Sequence, residues 1–289
     1  MPFSVIGWLG KLLGDLDYLV SGSQRIQRMR KNISRVIKSD DQEIRSIVRM
    51  NLQNHITNIL EFIKYPQFNQ QNISEHLSIQ GLENLDEELS KGRGVILATA
   101  HFGAKQLLQV GLGLMGYKLN QIHYHMNEDE LSFVQKKVSQ RYRKEIEKKI
   151  PVNFIPSTSF LRVAITSLKN NEILVIAADG IGIREYMSKG YLSVPFLGEK
   201  VLFPSNIVSF AKKTGASILP IFTIRETQSN HRIVIEPPIE VNLEHADRTI
   251  RDFIALLEKY VCKYPHLWEF WEEFEEGTLI ESSDEKKRE

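Results

Sequence analysis

His101 follows the apolar, β-branched run Gly94-Val95-Ile96-Leu97-Ala98-Thr99-Ala100 and opens the segment His101-Phe102-Gly103-Ala104-Lys105-Gln106. A strand that ends in a histidine, with Gly103 to turn the chain into a helix, puts a proton acceptor at a strand C-terminus. In open α/β sheets that edge faces the ligand crevice. A neutral imidazole there can take the proton of an attacking hydroxyl. Five residues on stands Gln106, an amide at a position where a carboxylate would complete a charged dyad. The histidine points to general-base chemistry, and the glutamine leaves open what orients the ring.

Asp179 is the first candidate for that role. It directly follows the apolar run 173–178 and so should emerge at the same sheet edge as His101, although an Asp before Gly180 also suits a simple turn. Other polar residues carry less. Gly111-Leu112-Gly113-Leu114-Met115-Gly116 has the spacing of a dinucleotide fingerprint. Its glycines fall at the far end of a helix instead of after a strand, which favours a close-packed helix end over a cofactor. His123 and His125 alternate on a predicted strand and could share a face for a metal. Glu128, Asp129 and Glu130 nearby are accounted for by the positive end of the next helix, so no metal is expected. The Lys- and Arg-rich stretch 136–149 reads first as a solvated helix face, second as a contact for an acidic carrier protein or an anionic membrane. It lacks the interleaved aromatics that nucleic-acid binding needs.

Those residues require a sheet to hold them. Apolar, β-branched runs at 95–98, 150–155, 173–178, 218–224 and 233–235 predict strands, and the alternating segment 119–125 adds another. Helical patterns near 104–115, 128–149, 158–169, 204–214 and 246–262 lie between them. The helix near 204–214 has Pro204 near its start, Lys212 and Lys213 in its last turn and Gly215 just beyond. Alternating strands and helices predict an α/β fold with a mixed, mostly parallel sheet flanked by helices. Three helices, over 1–22, 24–37 and 41–64, precede it as a helical N-terminal layer. The expected organisation is therefore a helical extension over 1–75, an α/β domain over 76–276 and a charged, disordered tail over 277–289.

The first 22 residues bear on membranes. Phe3, Ile6, Leu9, Leu13, Leu16 and Val20 form a helical stripe that Val5, Trp8, Leu12 and Leu19 widen. Lys11, Asp15 and Asp17 interrupt it, so it falls short of the about 20 apolar residues of a spanning helix. It also lacks the basic start and small-residue cleavage site of a signal peptide. Two readings stand: a helix packed on its own domain, or an interfacial membrane helix with Trp8 at headgroup level. Composition is ordinary for a globular chain of 289 residues, 42% hydrophobic and 25% charged. A net charge of +1 gives no bulk attraction to nucleic acid. The single Cys262 excludes an intramolecular disulfide and a cysteine-based zinc site, which suits a reducing compartment.

Several blocks, in order, carry a resemblance. Gly81-Leu82-Glu83-Asn84-Leu85, then Lys91-Gly92-Arg93-Gly94, then His101-Phe102-Gly103 form the first. Ala178-Asp179-Gly180, Val194-Pro195-Phe196-Leu197-Gly198 and Phe203-Pro204-Ser205 form the second. Thr214-Gly215-Ala216-Ser217-Ile218-Leu219-Pro220-Ile221-Phe222 leads to Arg225-Glu226, and Tyr264-Pro265-His266-Leu267-Trp268 precedes Phe270 and Trp271. From about 76 to 274 the chain resembles the lipid A late acyltransferases of the lysophospholipid acyltransferase-like superfamily.

The resemblance implies O-acyl transfer from a thioester, carried by acyl carrier protein or coenzyme A, to a hydroxyl of a membrane lipid or glycolipid. His101 matches the family's catalytic base, and no cofactor is implied. At Gln106 the family pattern has Asp or Glu, and loss of that charge can cost roughly four orders of magnitude in rate. Either Asp179 supplies it, with Gln106 as the other residue able to orient the ring, or the protein is a catalytically weak acyl-lipid or carrier binder. Arg225 and helix-start amides beyond Gly103 are the expected substrate and oxyanion contacts. Arg184, Lys189 and Lys200 suit phosphates of a headgroup or of the donor, and equally a solvated surface. Trp268, Phe270, Trp271 and Phe274 suit the core or an acyl groove. The expected location is the cytoplasmic face of the cytoplasmic membrane, as a peripheral protein.

Overall fold

The computed structural model describes residues 3–123, 141–156, 160–180, 190–242, 245–276 and 278–280. Helices α1 (Phe3–Val20), α2 (Ser23–Val36) and α3 (Asp41–Phe62) come first, where the apolar periodicity puts them. Asp40 starts α3, its side chain accepting from the Glu43 N–H at 2.8 Å, with Asp41 and Glu43 in the first turn to complement the helix dipole. Then follow β1 (Leu77–Gln80), α4 (Leu82–Ser90), β2 (Val95–Thr99), α5 (Leu107–Leu114), β3 (Leu119–His123) and α6 (Arg141–Glu147). After them come β4 (Asn153–Pro156), α7 (Phe160–Lys169), β5 (Ile173–Ala177), β6 (Tyr191–Phe196) and β7 (Glu199–Pro204). The last are α8 (Asn206–Thr214), β8 (Ser217–Arg225), β9 (His231–Ile235) and α9 (Ala246–Lys263).

The sheet is mixed and mostly parallel, in the order β1-β9-β8-β2-β5-β3-β4. Only β8 and β9 pair antiparallel within it. Alternate residues of each central strand serve opposite faces. Ile96, Ala98, Leu174, Ile176 and Ile218 pack into one core; Val95, Leu97, Ile173, Val175, Leu219 and Ile221 pack into the other. Both faces are covered, as the near-continuous apolar runs require.

Four elements escaped the sequence analysis: β1, α4 and the hairpin β6–β7. The hairpin turns at Leu197 and Gly198, both at positive φ (52° and 81°), the geometry that matches strand twist. Pro204 closes β7 instead of sitting in the next helix, and α8 begins at Asn206 and ends on Gly215 at φ 75°. The glycine-rich end of α5 is closely packed: a Cβ on Gly111 would meet the Leu77 side chain, and one on Gly113 the Pro151 carbonyl. The far end of the predicted strand 119–125, most of the helix 128–149 and residues 281–289 lie outside the described residues; at the start of the predicted tail 277–289, Leu279 and Ile280 are instead buried in the core.

The N-terminal helices are laced to the α/β domain. Asn51 Nδ2 donates to the carbonyls of His266 and Trp268 (3.1 and 2.6 Å), and Asn32 Nδ2 to that of Trp271 (2.9 Å). Arg225, at the end of β8, sends its guanidinium into α3, bonding Asn54 Oδ1 (3.0 Å), Asn58 Oδ1 (2.6 Å) and both Glu61 oxygens (2.5 and 2.9 Å). Glu61 is fully buried, with His231 Nε2 3.4 Å away. Burial alone would raise its pKa, but the charge of Arg225 and the nearby His231 hold it at about 2. Burial pushes His231 the other way, below the usual histidine value.

Helix α1 rests on α3 through glycines. A Cβ on Gly10 would run into Thr57, and one on Gly14 into the Gln53 backbone. Ile6 is buried and Phe3 stacks on Phe68, but a stripe of other apolar side chains points away: Trp8 is 57% exposed and Leu19 77%, with Leu12 and Leu16 between them. No helix among the described residues is long and apolar enough to cross a membrane.

Two outcomes follow. Gly14→Ala should cost about 1–3 kcal/mol by overpacking and open the first helix to protease; a variant as stable and as protease-resistant as wild type contradicts the glycine contact. Glu61→Gln, which strands a buried guanidinium, should cost about 3–5 kcal/mol at neutral pH. Glu61 has a depressed folded pKa, so its stabilisation is complete above its ordinary value of 4.5 and is lost as pH falls toward about 2. Acid titrations of unfolding free energy should therefore show a slope in that window for wild type that Glu61→Gln lacks.

Candidate functional site

The register of two parallel strands builds the site. β2 and β5 are neighbours, with Ala98 opposite Ile176 and Thr99 opposite Ala177. Two residues beyond the second pair lie His101 and Asp179, level with each other at the C-terminal edge of the sheet. The Ala178 N–H donates to the Thr99 carbonyl at 2.8 Å and carries the pairing one step past the strands. His101 Nδ1 then lies 2.8 Å from Asp179 Oδ1, and the His101 backbone N–H donates to Asp179 Oδ2, also at 2.8 Å.

Asp179 is buried, with its side chain 1% exposed against 27% for His101. Burial would raise its pKa; the charge of His101, hydrogen bonds from its ring and backbone, and the charge of Lys105 outweigh this and lower it. Its Oδ2 also accepts from Trp268 Nε1 at 3.2 Å. An ionised carboxylate has no hydrogen to give, so the hydrogen between it and the ring belongs to Nδ1. In the neutral ring, Nε2 is thereby left with its lone pair available as a base.

The segment after His101 is pinned from three sides. Gly103 has φ 56°, and a Cβ there would run into the Thr223 carbonyl, so this turn requires glycine. The Gly103 N–H donates to the Leu267 carbonyl (2.8 Å), and the Glu269 N–H to the His101 carbonyl (2.8 Å). Asn58 Nδ2 donates to the Gly103 carbonyl at 2.9 Å, while its Oδ1 accepts from Arg225. The Phe270 ring lies 4.5 Å from the imidazole, centroid to centroid. Lys105 pairs with Glu269 at 2.7 Å.

A cavity of about 460 Å³ begins two residues beyond His101. Gly103, Ala104, Lys105 and Gln106 form one wall, and Asn58, Ile59, Phe62 and Ile63 of α3 another. Ile59 and Ile63 are exposed, so the opening is apolar.

The sequence-selected residues thus divide. His101 and Asp179 are in contact. Gly103 shapes the turn beside them. Gln106 stands in the cavity wall, immediately before α5, while the imidazole is held by Asp179. Arg225 is held by α3 and acts on the His101 loop through Asn58, and it borders a different cavity. Lys200 is exposed on β7. Arg184 and Lys189 lie outside the described residues, as does His125, and the His123 side chain is not among those described. Trp268, Trp271 and Phe274 are buried in the core, and Phe270 alone reaches the imidazole.

Sequence reasoning missed Asn58, Lys105 with Glu269, and the indole N–H of Trp268. The aromatic run 268–274 suits the core or an acyl groove, and an indole donor to a buried carboxylate needs the third dimension to be seen.

The chain is 23% identical over 200 residues to the lipid A biosynthesis palmitoleoyltransferase of Escherichia coli (strain K12), a stretch covering 68% of this chain and 61% of the relative. The lipid A biosynthesis acyltransferase of Shigella flexneri matches with the same identity and coverage. The alignment thus spans about three fifths of these relatives. Residues 1–272, which take in the N-terminal helices and the whole sheet, match the family described as bacterial lipid A biosynthesis acyltransferase. The chain belongs to that family.

Proposed function

We propose that this protein is an O-acyltransferase that moves an acyl chain from an acyl thioester to a hydroxyl of a membrane lipid or glycolipid, with a lipid A-type glycolipid the acceptor the family favours. The contact between His101 Nδ1 and the buried Asp179 carboxylate carries this reading. It supplies the charged partner that Gln106 cannot, and so weakens the alternative of a silent acyl-lipid binder.

His101 Nε2 removes the acceptor hydroxyl proton as that oxygen attacks the thioester carbonyl. Asp179 stabilises the imidazolium that forms and fixes the ring. The negative charge passes to the carbonyl oxygen, for which the amides of 104–106, between Gly103 and α5, serve as donors. Collapse breaks the C–S bond, and the imidazolium returns its proton to the departing thiolate. An ester and a free thiol result, with no net change in protons. Acyl carrier protein or coenzyme A carries the thioester, and the apolar cavity beside Gly103 takes the acyl chain.

The outward apolar face of α1 supports peripheral attachment to the membrane that holds the acceptor. In this scheme the active site works at the cytoplasmic face, where thioester donors are made. The helices of 1–75 and the α/β domain of 76–276 act together in this scheme, because Asn58 of the first holds the His101 loop of the second.

Purified protein given acyl carrier protein and coenzyme A thioesters, with and without membrane lipid, should release thiol in a lipid-stimulated reaction that His101→Ala abolishes. Asp179→Asn should lower turnover by about four orders of magnitude, and Gln106→Ala by less than about tenfold. Equal losses in the two variants, or lipid-stimulated release that survives His101→Ala, would refute the assignment.

A further inference from the structure

A second cavity, of about 660 Å³, lies between α1, α3 and the turn joining β8 to β9. Its α3 wall is Met50, Gln53, Asn54 and Thr57, spaced i, i+3, i+4 and i+7. The His101 cavity uses a different stripe of the same helix. Nothing in the acyl-transfer scheme uses this space, yet it gathers donors.

Asn54 is 4% exposed, and its amide is half used. Oδ1 accepts from Arg225 Nε at 3.0 Å, while the buried Nδ2 has no partner among the described residues. A buried donor left without an acceptor is costly and calls for an explanation. Arg225 has five N–H groups, and the four bonds to Asn54, Asn58 and Glu61 leave one. Lys11 of α1 faces the same space and forms no ion pair among the described residues. The wall's one carboxylate, Glu226, is taken by Arg232 at 2.7 Å. His266, kept neutral by burial and by the charge of Arg225, lines the cavity as well. Donors and a cation line the same space, and its one carboxylate is already paired. The complement is an anion with several oxygens, and a phosphate suits donors placed on three separate elements.

The position fits a lipid source. At about 100° per residue, Lys11 lies roughly 60° around α1 from Trp8, which is 57% exposed at the edge of the outward apolar stripe. A bilayer that took up that stripe would bring its headgroups level with the cavity mouth.

We propose that this cavity is a phosphate-binding site, with Lys11, the Asn54 amide and the remaining Arg225 N–H as its donors, filled by the headgroup of a membrane phospholipid or glycolipid. For its lipid source the proposal rests on the membrane reading of α1.

The test uses the full chain and vesicles of phosphatidylcholine, alone or mixed with phosphatidic acid, at fixed ionic strength. Wild type should prefer the phosphatidic acid vesicles. Lys11→Gln and Asn54→Asp should each reduce that preference by about tenfold, the scale of one charge-assisted hydrogen bond, and bind neutral vesicles as wild type does. Asn54→Asp keeps the oxygen that Arg225 bonds, and Lys11→Gln lies on an exposed position, so both should melt near wild type. Inorganic phosphate without lipid gives the second arm. A rise in Tm for wild type but not for Asn54→Asp assigns the site to phosphate from either source; no rise, with the vesicle preference lost in the variants, assigns it to a headgroup in a bilayer. An unchanged preference in both folded variants, with no phosphate-dependent rise in Tm, overturns the site. If wild type binds no vesicle at all, the reading of α1 fails, and the phosphate arm alone then decides the cavity.

Discussion

The parallel pairing of β2 with β5 is the constraint on which the site depends. A parallel ladder in register puts residues equally far past paired positions at the same height, so His101 and Asp179 meet because Thr99 and Ala177 do. The carboxylate then closes the corner by accepting from the ring, the backbone of the same histidine and the indole of Trp268. A buried charge with three donors is stabilised where an unpaired one would not be. The carboxylate follows β5 and its partners follow β2 and α9, so it ties together three parts of the chain far apart in sequence.

The N-terminal helices belong to this arrangement as structural support. Arg225 and Glu61 form a buried ion pair between the last long strand and α3, and Asn58 between them carries the link to the Gly103 carbonyl. Buried pairs are weak evidence of net stability, but breaking one is costly. That asymmetry makes the pair a fixed spacer between helix layer and sheet. On its far side α3 receives α1 through glycines, which frees the bulky apolar residues of α1 to face outward. With Ile6 and the glycines inside, Trp8, Leu12, Leu16 and Leu19 are left outside, which supports the peripheral attachment proposed for this helix.

Much of this was legible in the sequence. Runs such as 173–178 and 218–224 are apolar and β-branched enough to be central strands, and Asp179 follows from counting past one of them. The edges were less legible. β1 has only four residues, Leu77–Gln80, and the β6–β7 hairpin carries Pro195, so both lack the apolar run that marks a central strand. The family resemblance makes Arg225 a substrate contact, but β8 runs five residues past its partner position with Ala98, whereas His101 lies only three past it. The extra length carries Arg225 beyond the His101 turn and into α3. Whether the α1 stripe faced in or out could not be read from periodicity, since Gly7, Gly10 and Gly14 form a face of their own. Space-filling by Thr57 and Gln53 decided it.

The central claim is that Asp179, and not the residue at 106, holds the His101 ring. Proton–nitrogen spectra of the histidine side chains, with His101 identified by its loss in His101→Gln, test it without any substrate. The account predicts a hydrogen-bonded Nδ1–H for His101 that disappears or moves strongly in Asp179→Asn and persists in Gln106→Glu. A His101 ring carrying its hydrogen on Nε2 at neutral pH, or an Nδ1–H indifferent to Asp179→Asn, would contradict it.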